Sequence, residues 1–499
     1  MKKSTFIKNT FWLTATSFVL RFAGMYFRIF LSGKIGSGGI GLYQMIGSVF
    51  VFFTAFITGG LQTAATRQIK DRLCAGNGKA AKSAVGYTII IAVAFSFFCA
   101  AVCFVFSGFI SLRFIKDANA VPAVKLMGCI LPFMAVSAVI RGWFIARCKA
   151  EIPSFSLVIE QAVRLALLFV IIPDNASSAH TLFQIMLCDM LGEAVSAAFL
   201  AVNYGIDSSK IKKCGGEPPA RFIKEHFHIV LPMTLGKYLS SFLRTAENLI
   251  APSLLAVTLG TAGGVSAFGL VKGMALPLIM FPASVLNSVT VLIIPELSSA
   301  LSQKNYCKIR YAVQRNFEIT AFFSFITAAI FYFLAKQLAD VIYHDSAVAP
   351  IITALAPLIP VMYFDGMADG ILKGLDKQNA TFLYSIADCL LRLVLIYFSV
   401  PRFGMTGFLT VMFASNIFTC FLNCRKMVKT VGHIDGALEK LVIPAIFSVA
   451  SVVLARFFAV KICKAQGLYY MLIFGGLAII VYIMCMAIFY APILRKKHI

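Results

Sequence analysis

Residues 9–32 read NTFWLTATSFVLRFAGMYFRIFLS, and residues 229–256 read IVLPMTLGKYLSSFLRTAENLIAPSLLA. Each is a largely apolar run longer than the ~20 residues a helix needs to cross ~30 Å of hydrocarbon. Each also holds two cations seven residues apart, Arg21 with Arg28 and Lys237 with Arg244. Seven residues is two helical turns, so each pair forms one stripe. A charge at that depth is tolerated where it faces protein, water or ligand. The same pattern met twice, 216 residues apart, points to a duplicated membrane bundle.

The composition agrees. Sixty per cent of the 499 residues are apolar and 13% are charged, against roughly 45–50% and about 25% in soluble domains. A soluble enzyme could not cover its surface with so few polar groups. The net charge of +24 suggests nucleic acid at first sight, but its placement argues otherwise. Thirteen cysteines are scattered, and Cys99, Cys103, Cys188, Cys389, Cys420 and Cys485 lie in apolar runs as small hydrophobes. No Cys/His set has zinc spacing; His226 and His228 lack two further ligands. No metal site and no cofactor are expected.

Hydropathy predicts an all-α polytopic membrane protein with about fourteen spans: 9–32, 40–61, 85–107, 123–140, 155–172, 182–203, 229–256, 267–294, 317–334, 350–369, 381–399, 405–423, 441–460 and 468–490. The runs are continuous rather than alternating, which excludes a barrel. With the amino terminus inside, inner segments carry 29 Lys and Arg, outer loops seven, and spans nine. This asymmetry predicts both termini in the cytoplasm and accounts for most of the charge without nucleic acid. Met1, Lys2 and Lys3 before an apolar run suggest a signal peptide. The run is long, contains two arginines and lacks a small-residue cleavage site, so an uncleaved first span is expected. Basic inner stretches, 67–72 and 210–213, suit topology and contact with anionic lipid.

The repeat extends beyond the two quoted runs. Phe6-Ile7-Lys8 returns as Phe222-Ile223-Lys224 at the same offset of 216. After the first outer loop the offset becomes 228, pairing Gly41 with Gly269, Gly142 with Gly370, Lys149 with Lys377, Glu160 with Asp388, Arg164 with Arg392 and Pro173 with Pro401. Six spans per copy keep both copies in one orientation, as in parallel-repeat transporters. The expected organisation is an amino-terminal lobe at 1–203, a cytoplasmic linker at 204–228, a second lobe at 229–423 and two further helices at 441–490. Two such lobes would enclose a central cavity that opens to each side in turn.

Arg21, Arg28, Lys237, Arg244 and Lys272 are the candidate cations for an anionic headgroup, since guanidinium forks suit phosphate. For Arg28 and Lys272 the alternative is snorkelling to the outer interface. Glu247, one turn from Arg244, is a candidate for charge balance or a coupling cation. Asp365 and Asp369 offer a proton or Na⁺ site, or else mark an interfacial helix end. Glu160–Arg164 and Asp388–Arg392 read as structural ion pairs at i,i+4 spacing.

From Phe6 to Gly60 the sequence resembles the start of the stage V sporulation protein B-like polysaccharide exporters. The residues that carry this are Arg21, Arg28 and the run from Gly38-Gly39-Ile40-Gly41 to Leu42-Tyr43-Gln44-Met45. Span count and repeat fit the superfamily that joins multidrug exporters with flippases for lipid-linked oligosaccharides and peptidoglycan precursors. The resemblance implies a flippase of the cell membrane for a polyprenyl-diphosphate-linked sugar, in polysaccharide biosynthesis, cell-wall growth or sporulation. It implies substrate contacts by Arg21, Arg28 and Lys272, and a lipid-tail groove on the last two helices. A basic residue that the lipid II flippases carry in the second helix has no match, since 40–61 holds no cation. The expected partners are the anionic lipid-linked glycan and the bilayer, and the chain is expected to be a monomer. Membrane potential, H⁺ or Na⁺ would drive it.

Two rivals remain. A multidrug/cation antiporter would favour an acid in the first helix, where this chain has two arginines. A membrane-embedded glycan-transferring enzyme would need acid/base groups on substantial outer loops. Asp117, Asp174, His180, Asp340, His344 and Asp345 form no convincing pair.

Overall fold

The structure, a computed structural model, describes residues 3–58, 60–172, 178–209, 219–462 and 467–496. Pro173, Asp174 and residues 210–213 lie outside the described residues. All regular elements among the described residues are helical. The chain falls into two compact units, Met1–Ser253 and Leu254–Ile499.

The first unit contains α1 (Lys3–Thr58), α2 (Leu61–Cys74), α3 (Gly78–Phe109), α4 (Val121–Ala146), α5 (Glu151–Ile171), α6 (Ser178–Ser209) and the first part of α7 (Pro219–Phe268). Its packing reverses the pattern of a soluble domain. The buried stripe of α3 is small or polar: Ala81, Ala84, Thr88, Ala92, Ser96, Cys99 and Cys103. Its exposed face carries Ile90, Phe97, Phe98 and Val105. Lipid tails are as apolar as these side chains, so burying them gains little; small residues instead let helices approach and touch over their length.

Gly142 on α4 shows how close that approach is. A Cβ there would stand 3.0 Å from the Gln62 carbonyl and 3.3 Å from the Ala65 side chain. Gly142→Val is therefore expected to lower stability by about 1–3 kcal/mol, read as a lower melting temperature in detergent. Gly86→Val, whose Cβ meets nothing within 4 Å, should melt like the wild type.

The second unit continues from α7 through α8 (Leu276–Met280), α9 (Ala283–Ser302), α10 (Tyr306–Phe333), α11 (Ala335–Leu338), α12 (Val348–Leu355), α13 (Ile359–Gly374), α14 (Gln378–Val431), α15 (Ala437–Ile462) and α16 (Leu468–Lys496). Its core gathers Leu297, Val313, Phe317, Phe364, Ile371 and Met427. The last two helices bury Ala455, Ala459, Ala478 and Tyr482 and expose Leu438, Ile446, Leu472 and Ile488. The Tyr482 hydroxyl donates to the Phe322 carbonyl at 3.1 Å, which docks α16 on α10.

Twelve helices among the described residues are long and apolar enough to cross a membrane, where the sequence suggests fourteen separate spans. The difference is one of continuity. Three of the twelve run for 60, 45 and 54 residues, far beyond the ~20 needed for one crossing. Each contains a glycine outside helical geometry: Gly36 (φ 63°), Gly260 (φ 73°) and Gly404 (φ 55°). Only glycine adopts this backbone without strain. Apolar spans therefore abut at a single residue instead of being parted by a loop, while the expected span 267–294 is divided between α8 and α9, so three mergers and one division give twelve.

Local structure recurs at the offset of 228. Asn77 and Asn305 each cap a helix, accepting from Ala80 N and Lys308 N at 3.0 Å. Lys116 and His344 are both left-handed, as are Cys148 and Asp376. Asp117 and Asp345 each accept from the backbone amide two residues on. Side chains differ at two of these four sites, Lys116 with His344 and Cys148 with Asp376, so the backbone turn persists where the residue identity does not.

Candidate functional site

α1 packs on α5 through Trp12 against Phe155 and Tyr26 and Phe30 against Phe169, with ring centroids 4.7–6.1 Å apart. At 100° per residue, Arg21 and Arg28 fall on the opposite face of α1. Arg21 is exposed and Arg28 half-buried.

The start of α7 docks on the second half of α1 by a row of hydroxyls and an amide. Tyr238 donates to the Phe56 carbonyl at 3.0 Å, Ser241 to Val51 at 3.4 Å and Thr245 to Ser48 at 3.0 Å, while Asn248 reaches the Ser48 hydroxyl at 3.0 Å. Phe56 and Tyr238 stack at 4.4 Å. Lys237 and Arg244 flank this seam and are exposed; Glu247, three residues past Arg244, is buried. Thus four of the five candidate cations belong to the first unit. Lys272 lies in the second, half-buried in a π-helical stretch, Gly269–Ala275. Such stretches widen a helix by one residue and re-aim its side chains.

Glu160 and Arg164 approach to 3.4 Å, but neither stands alone. The Arg164 Nε is 2.7 Å from Asp189, and Arg141 reaches Glu160 at 3.2 Å and Glu193 at 3.9 Å. Arg141 also donates to the hydroxyls of Ser156 and Ser196 at 3.3 and 3.1 Å. Five charged groups from α4, α5 and α6 thus share one buried site. Two turns along α4, Asp207 accepts from Trp143 Nε1 at 2.9 Å, from Lys149 at 2.5 Å and from Arg147, closing the ends of α4 and α6.

The second unit keeps a smaller arrangement. Arg392 pairs with Asp388 at 2.5 Å, and Ser415 bridges the two. Asp365 accepts from Asn423 at 2.8 Å, and Asp369 pairs with Lys373 at 2.5 Å. The two aspartates therefore have separate partners, and Asp369 is engaged at its own helix end.

Arg141, Asp189 and Glu193 are not among the candidates read from the sequence. Hydropathy ends the fourth span at 140 and so places Arg141 in an inner loop, yet α4 runs to Ala146. Asp189 and Glu193 do carry a signal: two acids at i,i+4 spacing inside the sixth span, which costs several kcal/mol unless a cation answers them.

The polysaccharide biosynthesis protein family matches residues 6–301, and the MatE family matches residues 232–398. The chain is 23% identical over 418 residues to stage V sporulation protein B of Bacillus subtilis strain 168, covering 82% of this chain and 80% of the relative. It is 19% identical over 401 residues to the sporulation protein YkvU of the same organism, covering 79% and 87%. Among solved structures, the lipid II flippase MurJ in an inward closed conformation superposes with a TM-score of 0.72 at 13% identity, over 97% of this chain and 99% of that one. An inward-facing multidrug resistance MATE transporter of the MOP superfamily gives 0.61 at 14% identity, over 85% and 94%. The fold is therefore that of MurJ and the MATE transporters. With the family match running over more than half of a chain built as a polytopic helical bundle, this protein belongs to the polysaccharide biosynthesis protein family of membrane transporters.

Proposed function

We propose that the protein is a flippase, carrying a polyprenyl-diphosphate-linked glycan from the inner to the outer leaflet of the cell membrane by alternating access. The observation that carries this reading is the pair of cationic stripes, Arg21–Arg28 on α1 and Lys237–Arg244 on α7, in a chain whose fold matches a lipid II flippase over nearly its whole length. The diphosphate meets these cations, while the polyprenyl tail stays in lipid. Both termini are cytoplasmic, as the inner excess of Lys and Arg directs. With the interior negative, each negative charge moved outward gains about 2.3 kcal/mol per 100 mV, and no covalent chemistry is needed.

The test is reconstitution into liposomes with a fluorescent polyprenyl-diphosphate sugar. Head exposure on the far leaflet should appear faster than in protein-free vesicles, and faster again with an imposed potential. No acceleration would defeat the proposal. The MatE match over residues 232–398 favours a second reading, a cation antiporter. Export of a cationic dye by the same liposomes, without lipid translocation, would select it.

A further inference from the structure

The charges of the buried site in the first unit do not balance. Arg141 and Arg164 face three carboxylates, Glu160, Asp189 and Glu193. Tyr43 on α1 and Cys188 on α6 are further titratable groups within electrostatic reach, and Arg28 acts on Tyr43 from the same helix. Glu193 is only 4% exposed at its side chain, and its Oε1 is buried without a hydrogen-bond partner. Its carboxyl lies within hydrogen-bonding reach of Glu160, and both converge on the same nitrogen of Arg141. Two ionised carboxylates side by side in this setting would repel each other with little water to screen them.

We propose that Glu160 and Glu193 hold one exchangeable proton between them, and that this proton is a coupling ion of the carrier. The proton sits on one carboxyl oxygen and is donated to the other, leaving the site with two guanidiniums, two carboxylates and no net charge. Sodium fits poorly, because the Arg141 guanidinium already occupies the space both carboxylates address. The second unit supports the assignment by contrast. At the offset of 228, Glu160 and Arg164 become Asp388 and Arg392, but where the Arg164 Nε meets the carboxylate of Asp189 the Arg392 Nε meets the hydroxyl of Ser415. A single balanced pair suffices for packing there, so packing does not explain the extra acids of the first copy. Tyr43, Cys188 and Arg28 surround the site without removing the imbalance: no ion pair joins Arg28 to the three carboxylates among the described residues. The coupling role rests on the carrier reading above; the shared proton does not.

Infrared spectroscopy of the full chain in liposomes, titrated from acid to alkaline pH, tests the proton directly. The wild type should show the C=O stretch of a buried protonated carboxylic acid, and this signal should be missing from Glu193→Gln and from Glu160→Gln. In the flipping assay, a one-unit pH gradient should bias the wild type by about tenfold for one proton per cycle. Glu193→Gln should lose that bias while keeping its response to membrane potential. Absence of the signal from the wild type, its persistence in both variants, or an intact pH-gradient response in Glu193→Gln would each overturn the proposal. If Glu193→Gln fails to insert, Glu193→Asp keeps the acid and must shift the signal; an unshifted one overturns it as well. A wild type that shows the signal but flips nothing overturns the coupling role and the carrier reading together, and leaves the shared proton standing.

Discussion

Replacing Arg21 and Arg244 together by alanine is expected to cut translocation of a polyprenyl-diphosphate sugar by about a hundredfold or more, with the protein still inserted and folded. A hydrogen bond to a charged group contributes about 1.5–3 kcal/mol, and about 1.4 kcal/mol is a factor of ten. The substrate cannot otherwise leave water, so removing two such hydrogen bonds from its headgroup slows the rate by at least two orders of magnitude. Both side chains are exposed, so truncating them leaves the packing of the bundle untouched and the melting temperature close to wild type. Arg21→Lys should recover only part of the rate, because an ammonium does not reproduce the two-pronged contact of guanidinium with phosphate. Flipping at the wild-type rate by the double variant, measured in the liposome assay, would sink the assignment of the headgroup site.

Arg164→Ala should have the opposite signature, a loss of stability. Its guanidinium lies 2.7 Å from Asp189 and 3.4 Å from Glu160, with Asp189 8% exposed at its side chain. Removing one partner of a buried pair leaves an uncompensated charge, at about 3–5 kcal/mol. The variant should melt well below the wild type in detergent and insert at reduced yield. The double variant Arg164→Leu with Asp189→Leu removes both charges and should regain most of that loss, since a well-packed apolar pair can replace a buried ion pair. If Arg164→Ala melts with the wild type, water reaches the site and the charges are not buried as described.

Much of the architecture was legible because bilayer and backbone impose strong, local rules. An apolar run of ~20 residues must be helical in lipid, so the helices could be read from hydropathy alone. The repeat could be read because turns are short-range: the caps at Asn77 and Asn305 and the left-handed turns at Lys116 and His344 recur at the offset found in the sequence. Helix continuity was not legible. Gly36, Gly260 and Gly404 join consecutive helices directly, and a glycine in an apolar run reads the same whether it bends the chain or lets a neighbour approach. The site was legible in part. Glu160–Arg164 and Asp388–Arg392 are neighbours on one helix, and i,i+4 spacing predicts their contact. Arg141, Asp189 and Glu193 reach the first of these pairs from two other helices that lie far from each other along the chain.

The sequence by itself determined the membrane class and the helical backbone, and it displays the uneven placement of Lys and Arg and the residues that recur at a fixed offset, because each follows from composition or spacing along the chain. Only the tertiary structure decided which charges answer one another. Helix spacing fixes the face a side chain occupies, but packing of α4, α5 and α6 sets which faces meet. That packing turned two isolated i,i+4 pairs into a five-membered site in one unit and a single bridged pair in the other.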